Sequence, residues 1–408
     1  MKIWIFNQYA IPPGFPGGTR HYALARELLR RGHDVTVFAG NIHYLTGQEV
    51  PLPAGCHVRH EVVDGVPFMW IRTPPYRGNG AGRLRNMLAY AVRIGTPAVE
   101  AAARSRPDVV VGSSPHQFGA LAAWQIARRQ GAAFVLEIRD LWPQSIIDLS
   151  VLSPYHPMVW ILAQIERHLY RRAQRIVTLL PHAVEHIVAK GGERSRIEWI
   201  PNGVDLELFP SEPVEDRSDT HFTVLYAGAH GEANALETVL GAASELQARD
   251  DGKRIKFVLV GDGPEKARLQ ALVAERGIVN VEFRDPVAKK DMAKVLRSAD
   301  ALVVCARNTE LYRYGISFNK LFDYLAAGRP ILFASGSANN PVADADAGVT
   351  VTPENAVALA QAVLELSKRP RAELDDIGAR GRAYVEQHFS MQVLGDKLER
   401  TLIAAANA

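Results

Sequence analysis

The residues that point most directly to chemistry lie in one short stretch, residues 312–331. We expect Ser317 or Asn319 to cap a helix that runs from about Lys320 to Ala327. A helix start gathers unpaired backbone N–H groups and the positive end of the helix dipole, so it favours a phosphate group. Lys320 opposes that dipole unless an anion is bound. The stretch therefore predicts an anion site, and the alternative is a capped surface helix whose lysine points into water.

In the first half of the chain, two loops after apolar strands could serve a ligand. Gly17 and Gly18 would let it approach the backbone closely, although a plain surface loop explains them equally well. Their spacing is not that of a dinucleotide-binding motif, so a dehydrogenase is not indicated. His116 follows the apolar run Val109–Val111, where a side chain at the strand end would reach a ligand. A structural histidine is the alternative.

A charged cluster follows another apolar strand of the first half. Glu137, Arg139 and Asp140 stand close together beside a tryptophan. Because buried charges are costly unless they are paired or used, this cluster favours a functional role.

The second half has two comparable loops. Gly228 lies in a small-residue loop between a strand and a helix, which suits close contact with a ligand. Phe283, Arg284 and Pro286 follow another strand. Backbone groups there could hydrogen-bond a nucleotide base while the apolar side chains pack against it.

Composition indicates an ordinary globular chain. The 408 residues are 47% apolar and 22% charged, with a net charge of +3, which does not by itself imply a nucleic-acid partner. Cys56 and Cys305 lie far apart and predict neither a disulfide framework nor a zinc site. No run approaches the roughly 18 apolar residues of a membrane span. We therefore expect a cytoplasmic protein, or one at the inner face of the cytoplasmic membrane.

The fold is predicted by the alternation of apolar strands with longer helical patterns, which indicates an α/β class with parallel sheets. A polar, turn-rich segment after residue 200 indicates a linker between two domains. We expect two Rossmann-like domains, residues 1–205 and 206–385, facing each other across a cleft. A C-terminal helix within 386–408 is expected to pack back on the first domain. Ligands of open parallel sheets bind at the carboxyl ends of the strands, so the cleft is the expected site.

Five motifs in this order and spacing resemble glycosyltransferase family 4. They are Gly17-Gly18, Arg31–Val37, Pro201–Asp205, Val260–Pro264 and Tyr324–Pro330. The resemblance covers essentially the whole chain. It implies the GT-B fold, retention of anomeric configuration and no metal requirement. Two further motifs, Arg139–Pro143 and Ser317–Asp323, resemble the subgroup that includes N-acetylfucosaminyl transferases of bacterial O-antigen and capsule synthesis.

The chain departs from the family pattern at several positions. The family usually carries two glutamates separated by seven residues, where this chain has Gly315 and Asp323. It also commonly has an arginine and a lysine where this chain has Ala229 and Asn234. Those cations usually neutralise the diphosphate, so we expect Lys320 and the helix start to replace them.

The resemblance implies a UDP-sugar bound mainly to the second domain. The groups near its diphosphate would be Gly17, Gly18, Gly228, Ser317, Asn319 and Lys320, helped by Arg139 or Arg313. The base would lie against Phe283, Arg284 and Pro286, and the ribose hydroxyls would bind Asp323. Charge growing on the departing diphosphate would be stabilised by donors already in place.

The remaining site residues are assigned to the transferred sugar and the acceptor. The resemblance places His116 near the sugar. Asp140 or Glu137 could orient an acceptor hydroxyl or stabilise the oxocarbenium-like state. The resemblance implies transfer of an N-acetylated hexosamine or deoxyhexosamine to a saccharide acceptor.

A basic, amphipathic stretch bears on the acceptor. Arg83–Ile94, with nearby Arg77, has the pattern of a helix lying on anionic lipid, and Arg167, Arg171, Arg172 and Arg175 form a second basic group. If the first stretch contacts a membrane, the acceptor is expected to be a saccharide on a polyprenyl diphosphate. Solvated helix faces explain both groups equally well.

Two other functions fit the same fold. A sugar-nucleotide epimerase would convert the donor with no second sugar present. A non-catalytic nucleotide-sugar-binding protein would bind the donor without consuming it.

Overall fold

The chain divides into two compact units in a computed structural model that describes residues 1–15, 17–44, 46–76, 78, 80–96, 99, 105–149, 151–211 and 220–408. Unit 1 is Met1–Pro201 together with Met391–Ala408, and unit 2 is Asn202–Ser390. These limits differ from the predicted ones at 205 and 385. Val204 forms a bridge with Ser390, so the residues directly after Pro201 belong to unit 2.

Unit 1 contains an eight-stranded sheet in the order β3-β4-β2-β1-β5-β6-β7-β8. Its strands are β1 (Lys2–Phe6), β2 (Asp34–Gly40), β3 (Val58–Val63), β4 (Val66–Ile71), β5 (Val109–Ser113), β6 (Ala133–Ile138), β7 (Arg175–Thr178) and β8 (Ile197–Trp199). Neighbours are parallel except β3 and β4, which form an antiparallel hairpin. The sequence analysis did not predict β3, because this half-exposed edge strand lacks the apolar run of a buried strand.

Helices cover both faces of this sheet. They are α1 (Arg20–Arg30), α2 (Ala81–Ile94), α3 (Gln117–Gln130), α4 (Gln144–Asp148), α5 (Pro157–Arg172), α6 (Val184–Ala189) and the C-terminal helix Met391–Ala406. Helix α3 packs between α2 and α5, so these three form one layer. Helix α1 packs against the C-terminal helix, whose Leu394, Leu398 and Leu402 are buried in the core of unit 1.

Unit 2 contains a parallel six-stranded sheet in the order β11-β10-β9-β12-β13-β14. Its strands are β9 (Phe222–Ala227), β10 (Ile255–Val260), β11 (Val281–Arg284), β12 (Ala301–Cys305), β13 (Ile331–Ala334) and β14 (Gly348–Val351). Its helices are α7 (Glu237–Gln247), α8 (Lys266–Glu275), α9 (Met292–Arg297), α10 (Asn319–Ala327), α11 (Pro341–Asp344), α12 (Ala356–Ser367) and α13 (Arg371–His388). Strands β9 and β12 are central neighbours, so the loops after them meet at one edge of the sheet.

Two sequence expectations concern the chain as a whole. Cys56 is exposed in unit 1 and Cys305 is buried in unit 2, and both thiols are free. Among the helices that the structure describes, none has the length and apolar character needed to cross a bilayer.

Candidate functional site

Helix α10 starts without a side-chain cap. Its first residue is Asn319, and the preceding Phe318 has extended backbone angles and accepts no hydrogen bond from the helix through its side chain. The expectation that Ser317 or Asn319 caps the helix is therefore wrong. The Ser317 hydroxyl instead accepts the backbone N–H of Asn202 at 2.7 Å, and the Ser317 carbonyl accepts the Asn202 side-chain amide. The positive end of the α10 dipole is thus left to another partner.

The Lys320 amine is held by neutral groups. It donates to the Tyr226 hydroxyl at 2.8 Å and to the Asn234 side-chain oxygen, and it lies 4.5 Å from the centre of the Tyr226 ring. No carboxylate of the described residues lies within ion-pair distance of it. Burial lowers the pKa of Lys320 to about 7. A partly buried cation without a counterion among the described residues, at the positive end of a helix, has the charge that would favour a bound anion.

Gly228 leaves room beside this amine. A Cβ atom at Gly228 would lie 3.3 Å from the Lys320 amine nitrogen and 3.1 Å from the Tyr226 hydroxyl. Any side chain would therefore crowd the donors that face the anion site. The Tyr226 hydroxyl also donates to the Ala229 carbonyl at 2.7 Å, and the Asn234 amide donates to the same carbonyl at 2.9 Å. These bonds fix both acceptors of the lysine.

Asp323 lies on the same helix but faces inward. Only 6% of the residue is exposed, and its Oδ2 atom accepts a hydrogen bond from the Lys289 amine. Among the residues that the structure describes, its Oδ1 atom has no hydrogen-bond partner. Burial raises the pKa of Asp323, and Lys289 acts in the opposite direction. One carboxylate oxygen is already held in an ion pair, and the expectation that Asp323 binds the ribose hydroxyls stays a prediction.

The predicted base-binding loop follows β11. Arg284 and Pro286 are exposed, whereas Phe283 is half-buried against His230, with ring centres 6.0 Å apart. The Arg284 carbonyl accepts the Gly261 N–H at 3.1 Å, and the Arg284 side chain donates to Glu282. That carbonyl is therefore already engaged, and the faces of Phe283 and Pro286 are what the loop offers a base.

Residue His230 was missed in the sequence analysis. It is fully buried after β9, and neither ring nitrogen has a hydrogen-bond partner in the part of the chain that the structure describes. Burial lowers its pKa to about 4, which keeps the ring neutral. The pattern Ala229-His-Gly gave no signal for it, because the burial depends on residues from β10 and β11 that are distant in sequence.

In unit 1, His116 caps helix α3. Its Nδ1 atom accepts the Gly119 N–H at 3.2 Å, so the neutral ring carries its proton on Nε2. The residue is 2% exposed, and burial lowers its pKa to about 3. Tyr9 and Tyr90 contact the ring edge to face, each at 5.9 Å. His116 can therefore donate a hydrogen bond through Nε2, but it is not a general base through Nδ1.

Glu137 is enclosed by donors. Its carboxylate accepts Arg20 at 2.8 Å, His21 at 2.7 Å and the Ser113 hydroxyl at 2.5 Å. These neighbours hold the pKa of Glu137 well below its usual range despite its burial. The expectation that Glu137 orients an acceptor hydroxyl is therefore wrong, because its oxygens are already used.

The same hydrogen-bond network holds the last residues of the first segment of unit 1. Arg20 also donates to the carbonyls of Ile200 and Pro201, where the chain leaves the unit. Arg20 and His21 were missed in the sequence analysis, although they directly follow the glycine loop. Their partner Glu137 lies more than 100 residues away in sequence, so spacing could not reveal the pair.

The other predicted residues of unit 1 lie on loops at the carboxyl edge of the sheet. Gly17 and Gly18 precede α1 and are partly exposed. Arg139 follows β6, and its N–H donates to the Ser114 hydroxyl at 2.8 Å. Asp140 is exposed. The structure therefore brings these loops together with His116, because β1, β5 and β6 are neighbouring parallel strands.

Comparison with protein families gives two consecutive matches. Residues 17–203 match the Glycosyl transferase 4-like domain, and residues 221–369 match Glycosyl transferases group 1. The putative colanic acid biosynthesis glycosyl transferase WcaI of Escherichia coli K12 is 24% identical over 74% of this chain and 76% of its own length. The alignment with 2-deoxystreptamine glucosyltransferase of Streptomyces kanamyceticus covers 61% of that protein. The alignment with D-inositol 3-phosphate glycosyltransferase of Nocardia farcinica covers 43% of that protein.

Solved structures resemble the whole chain. Sucrose-phosphate synthase from Thermosynechococcus elongatus has a TM-score of 0.72 at 18% identity, with 99% of each chain covered. Anabaena HepE in complex with UDP and glucose has a TM-score of 0.66 at 16% identity, also with 99% of each chain covered. These similarities establish the arrangement of strands and helices in the chain.

Proposed function

Because the chain is a glycosyltransferase with the GT-B fold, we propose that it transfers a sugar from a UDP-sugar to a saccharide acceptor with retention of anomeric configuration. Retention rests on the resemblance of its motifs to family 4. The choice of UDP is supported by the relative HepE, whose structures are described with UDP and with UDP-glucose.

The observation that carries this proposal is the Lys320 amine at the uncapped start of α10. A diphosphate on this site would gain a full positive charge, the helix dipole and the backbone N–H groups at the helix start. Negative charge grows on the diphosphate as the sugar–phosphate bond breaks. Donors that are already in place stabilise this charge more than that of the ground state, which lowers the barrier.

The departures from the family pattern are consistent with activity. Asn234 stands where the family commonly has a cation, and here it positions Lys320 through a hydrogen bond. Ala229 stands at the other such position, and its carbonyl orders Tyr226 and Asn234. We therefore propose that one well-held lysine replaces two loop cations. It would also supply the positive charge that a metal ion provides elsewhere, so the reaction is proposed to be metal-independent.

The rest of the donor has partners in unit 2. The Oδ1 atom of Asp323 has no hydrogen-bond partner among the described residues, so we assign a ribose hydroxyl to it while Oδ2 stays bonded to Lys289. The base would pack on Phe283 and Pro286. A buried polar atom that lacks a partner is costly, and donor binding would relieve this cost.

The sugar and acceptor are proposed on a different basis. The motifs Arg139–Pro143 and Ser317–Asp323 resemble those of N-acetylfucosaminyl transferases, which favours an N-acetylated hexosamine or deoxyhexosamine. His116 would donate from Nε2 to a sugar hydroxyl, and Asp140 would orient the acceptor. The relative WcaI is described as acting in colanic acid biosynthesis, which supports a role in bacterial surface polysaccharide synthesis.

We further propose that the acceptor is carried on a polyprenyl diphosphate and that α2 contacts the membrane. This helix has Arg83, Arg85 and Arg93 but no acidic residue. Arg77, which the sequence analysis grouped with them, lies outside the described residues. The protein would then work at the inner face of the cytoplasmic membrane.

The test compares Lys320→Ala and Lys320→Arg with the unaltered protein. Thermal stabilisation by UDP, GDP, TDP and their sugar conjugates is measured without metal. The best donor is then incubated with a short polyprenyl-diphosphate saccharide. We expect UDP to stabilise the protein. We also expect that UDP is released from the UDP-sugar only when the acceptor is present. Lys320→Ala should lower turnover by about 100-fold with little change in unliganded melting temperature, and Lys320→Arg should retain more activity because it keeps the charge.

Each other result has a defined meaning. Turnover unchanged in Lys320→Ala would contradict the assignment of the diphosphate site. Conversion of the donor without a second sugar would identify an epimerase. Tight donor binding without turnover of any acceptor would identify a non-catalytic binding protein.

A further inference from the structure

The helical layer formed by α2, α3 and α5 has an unusual charge. These three helices contain eight arginines and one carboxylate, Glu166. The whole chain, in contrast, has 47 basic and 44 acidic residues. Glu166 is 1% exposed and is hydrogen-bonded by Tyr170 and His186, so it does not offset the arginines at the surface. Three of the arginines are half-buried and five are exposed, so the outer face of this layer is positive; the exposed ones are Arg85, Arg128, Arg129, Arg171 and Arg172.

The layer also exposes apolar side chains at one end. On α2, Leu84, Leu88 and Val92 are four residues apart and form one stripe along the helix. Leu88 is 41% exposed and Val92 is 70% exposed. Packing against the described residues of unit 1 does not explain the exposed part of this stripe.

The opposite end of the layer exposes aromatic residues. Trp160 on α5 is 66% exposed, and Ile161 beside it is 41% exposed. Tyr155 and Val151, in the loop before α5, are 95% and 66% exposed. Burying a large side chain is usually favourable, so an exposed cluster of this kind indicates a surface that meets a partner. The nearby Asp148 accepts a hydrogen bond from Gln144.

Charge and exposed side chains together identify the partner. We propose that the outer face of α2, α3 and α5 is a single docking surface for an anionic lipid bilayer, with Trp160 and Tyr155 inserted at the headgroup level. Arginines attract the anionic headgroups, and tryptophan and tyrosine favour the interface because they combine an apolar ring with a polar tip. A nucleic acid would satisfy the arginines but would leave Leu88, Val92 and Ile161 in water.

This surface extends beyond the contact through α2 alone. Helix α3 joins the two ends, and its Arg128 and Arg129 are exposed between them. A contact at both ends would fix the orientation of unit 1 on the membrane, whereas a single helix would allow it to tilt. The inference rests on the proposed function only in that a lipid-linked acceptor would be delivered at this surface.

The first experiment is vesicle flotation of the full chain. The unaltered protein should float with vesicles that contain about 30% phosphatidylglycerol and not with pure phosphatidylcholine, and about 0.5 M salt should release it. The variant Arg85→Glu/Arg128→Glu/Arg172→Glu should bind at least about tenfold more weakly. The matched control, Lys253→Glu/Arg276→Glu/Lys368→Glu, makes the same change in net charge on exposed residues of unit 2 and should float normally.

The second experiment tests insertion of Trp160. Brominated lipids should quench part of the tryptophan fluorescence, and Trp160→Phe should remove that quenching while flotation is retained. Trp160→Ser should weaken flotation several-fold, whereas Val279→Ser, at an exposed valine of unit 2, should not.

Several outcomes would overturn the proposal. The proposal fails if the protein floats without anionic lipid or if both triple variants float equally well. It also fails if lipid quenching is unchanged in Trp160→Phe, or if the protein is a soluble dimer that Trp160→Ser dissociates. UDP binding is measured in parallel on every variant. A protein that binds UDP but not vesicles would disprove only the docking surface, and one that binds vesicles but no nucleotide would disprove only the proposed function.

Discussion

The protonation of Lys320 ties donor binding to pH. Burial lowers the pKa of the amine to about 7, far below its usual value of 10.5. A folded-state pKa below the unfolded one means that the unfolded chain binds more protons between these values. The contribution of this group to stability therefore rises with pH from about 7 to about 10.5. Anion binding has the opposite preference, because it requires the charged amine.

We therefore predict that affinity for a UDP-sugar falls by about tenfold between pH 7 and 8.5, since the amine must take up a proton to bind the diphosphate. A UDP-sugar is used because its phosphates do not titrate in this range. Isothermal titration calorimetry in two buffers of different ionisation enthalpy will measure the proton uptake. In Lys320→Arg the guanidinium stays charged, so both effects should disappear. An equally steep pH dependence in that variant would assign it to another group.

The neutrality of the groups around Lys320 is itself testable. Asn234→Asp would place a carboxylate against the amine, which raises the pKa of Lys320 but also cancels the charge that the diphosphate requires. We predict that donor affinity at pH 7 falls by about tenfold or more, with no loss of thermal stability. The control Asn234→Ala removes the hydrogen bond without adding charge and should have a smaller effect. Equal affinity in the two variants would show that charge is not decisive there.

At the scale of elements, Glu137 joins β6 to α1 and, through Arg20, to the segment after β8. In Glu137→Gln, Arg20 would remain buried without its counterion. Removal of one partner of a buried pair typically costs about 3–5 kcal/mol, so the unfolding free energy of unit 1 should fall by about that amount. Urea unfolding measures this change. The control Glu185→Gln breaks an exposed pair with Arg194 and should change stability by less than about 1 kcal/mol.

The pH dependence of this network has a defined sign. The pKa of Glu137 is held well below its usual range, so its contribution is present above the unfolded pKa and is lost as pH falls through the folded one. Acidification should therefore reduce the difference between the unaltered protein and Glu137→Gln. A cost for Glu137→Gln no larger than that of Glu185→Gln would show that Arg20 finds another partner.

The sequence predicted helices and strands better than it predicted which side chains form ion pairs and hydrogen bonds with one another. Apolar runs and glycine stops were enough to place β5 and α10, because hydrophobic periodicity and turn chemistry are local. The position of Lys320 at the start of α10 was predicted for the same reason. The pair of Asp323 with Lys289 and the enclosure of Glu137 were not, because their partners lie 34 and more than 100 residues away in sequence. Strand β3 was missed because an exposed edge strand has little apolar signal.

At the scale of the whole molecule, the two units carry different parts of the work. The proposed donor groups Lys320, Tyr226, Asn234 and Asp323 all belong to unit 2. His116 and the basic face belong to unit 1, which the chain enters twice, because Met391–Ala408 returns to it after unit 2. Donor binding and the integrity of unit 1 should therefore be separable.

Leu402→Ala tests this separation. Leu402 is fully buried in the core of unit 1, although the 189 residues of unit 2 (202–390) separate its helix from the end of the first segment at Pro201. Loss of its side chain should lower the unfolding free energy of unit 1 by about 2–5 kcal/mol. Its neighbour Ile403 is 42% exposed, so Ile403→Ala should cost less than about 1 kcal/mol. Limited proteolysis of unit 2 measures the protection that UDP gives, and this protection should be equal in both variants. If Leu402→Ala alone lost the protection, donor binding would depend on unit 1.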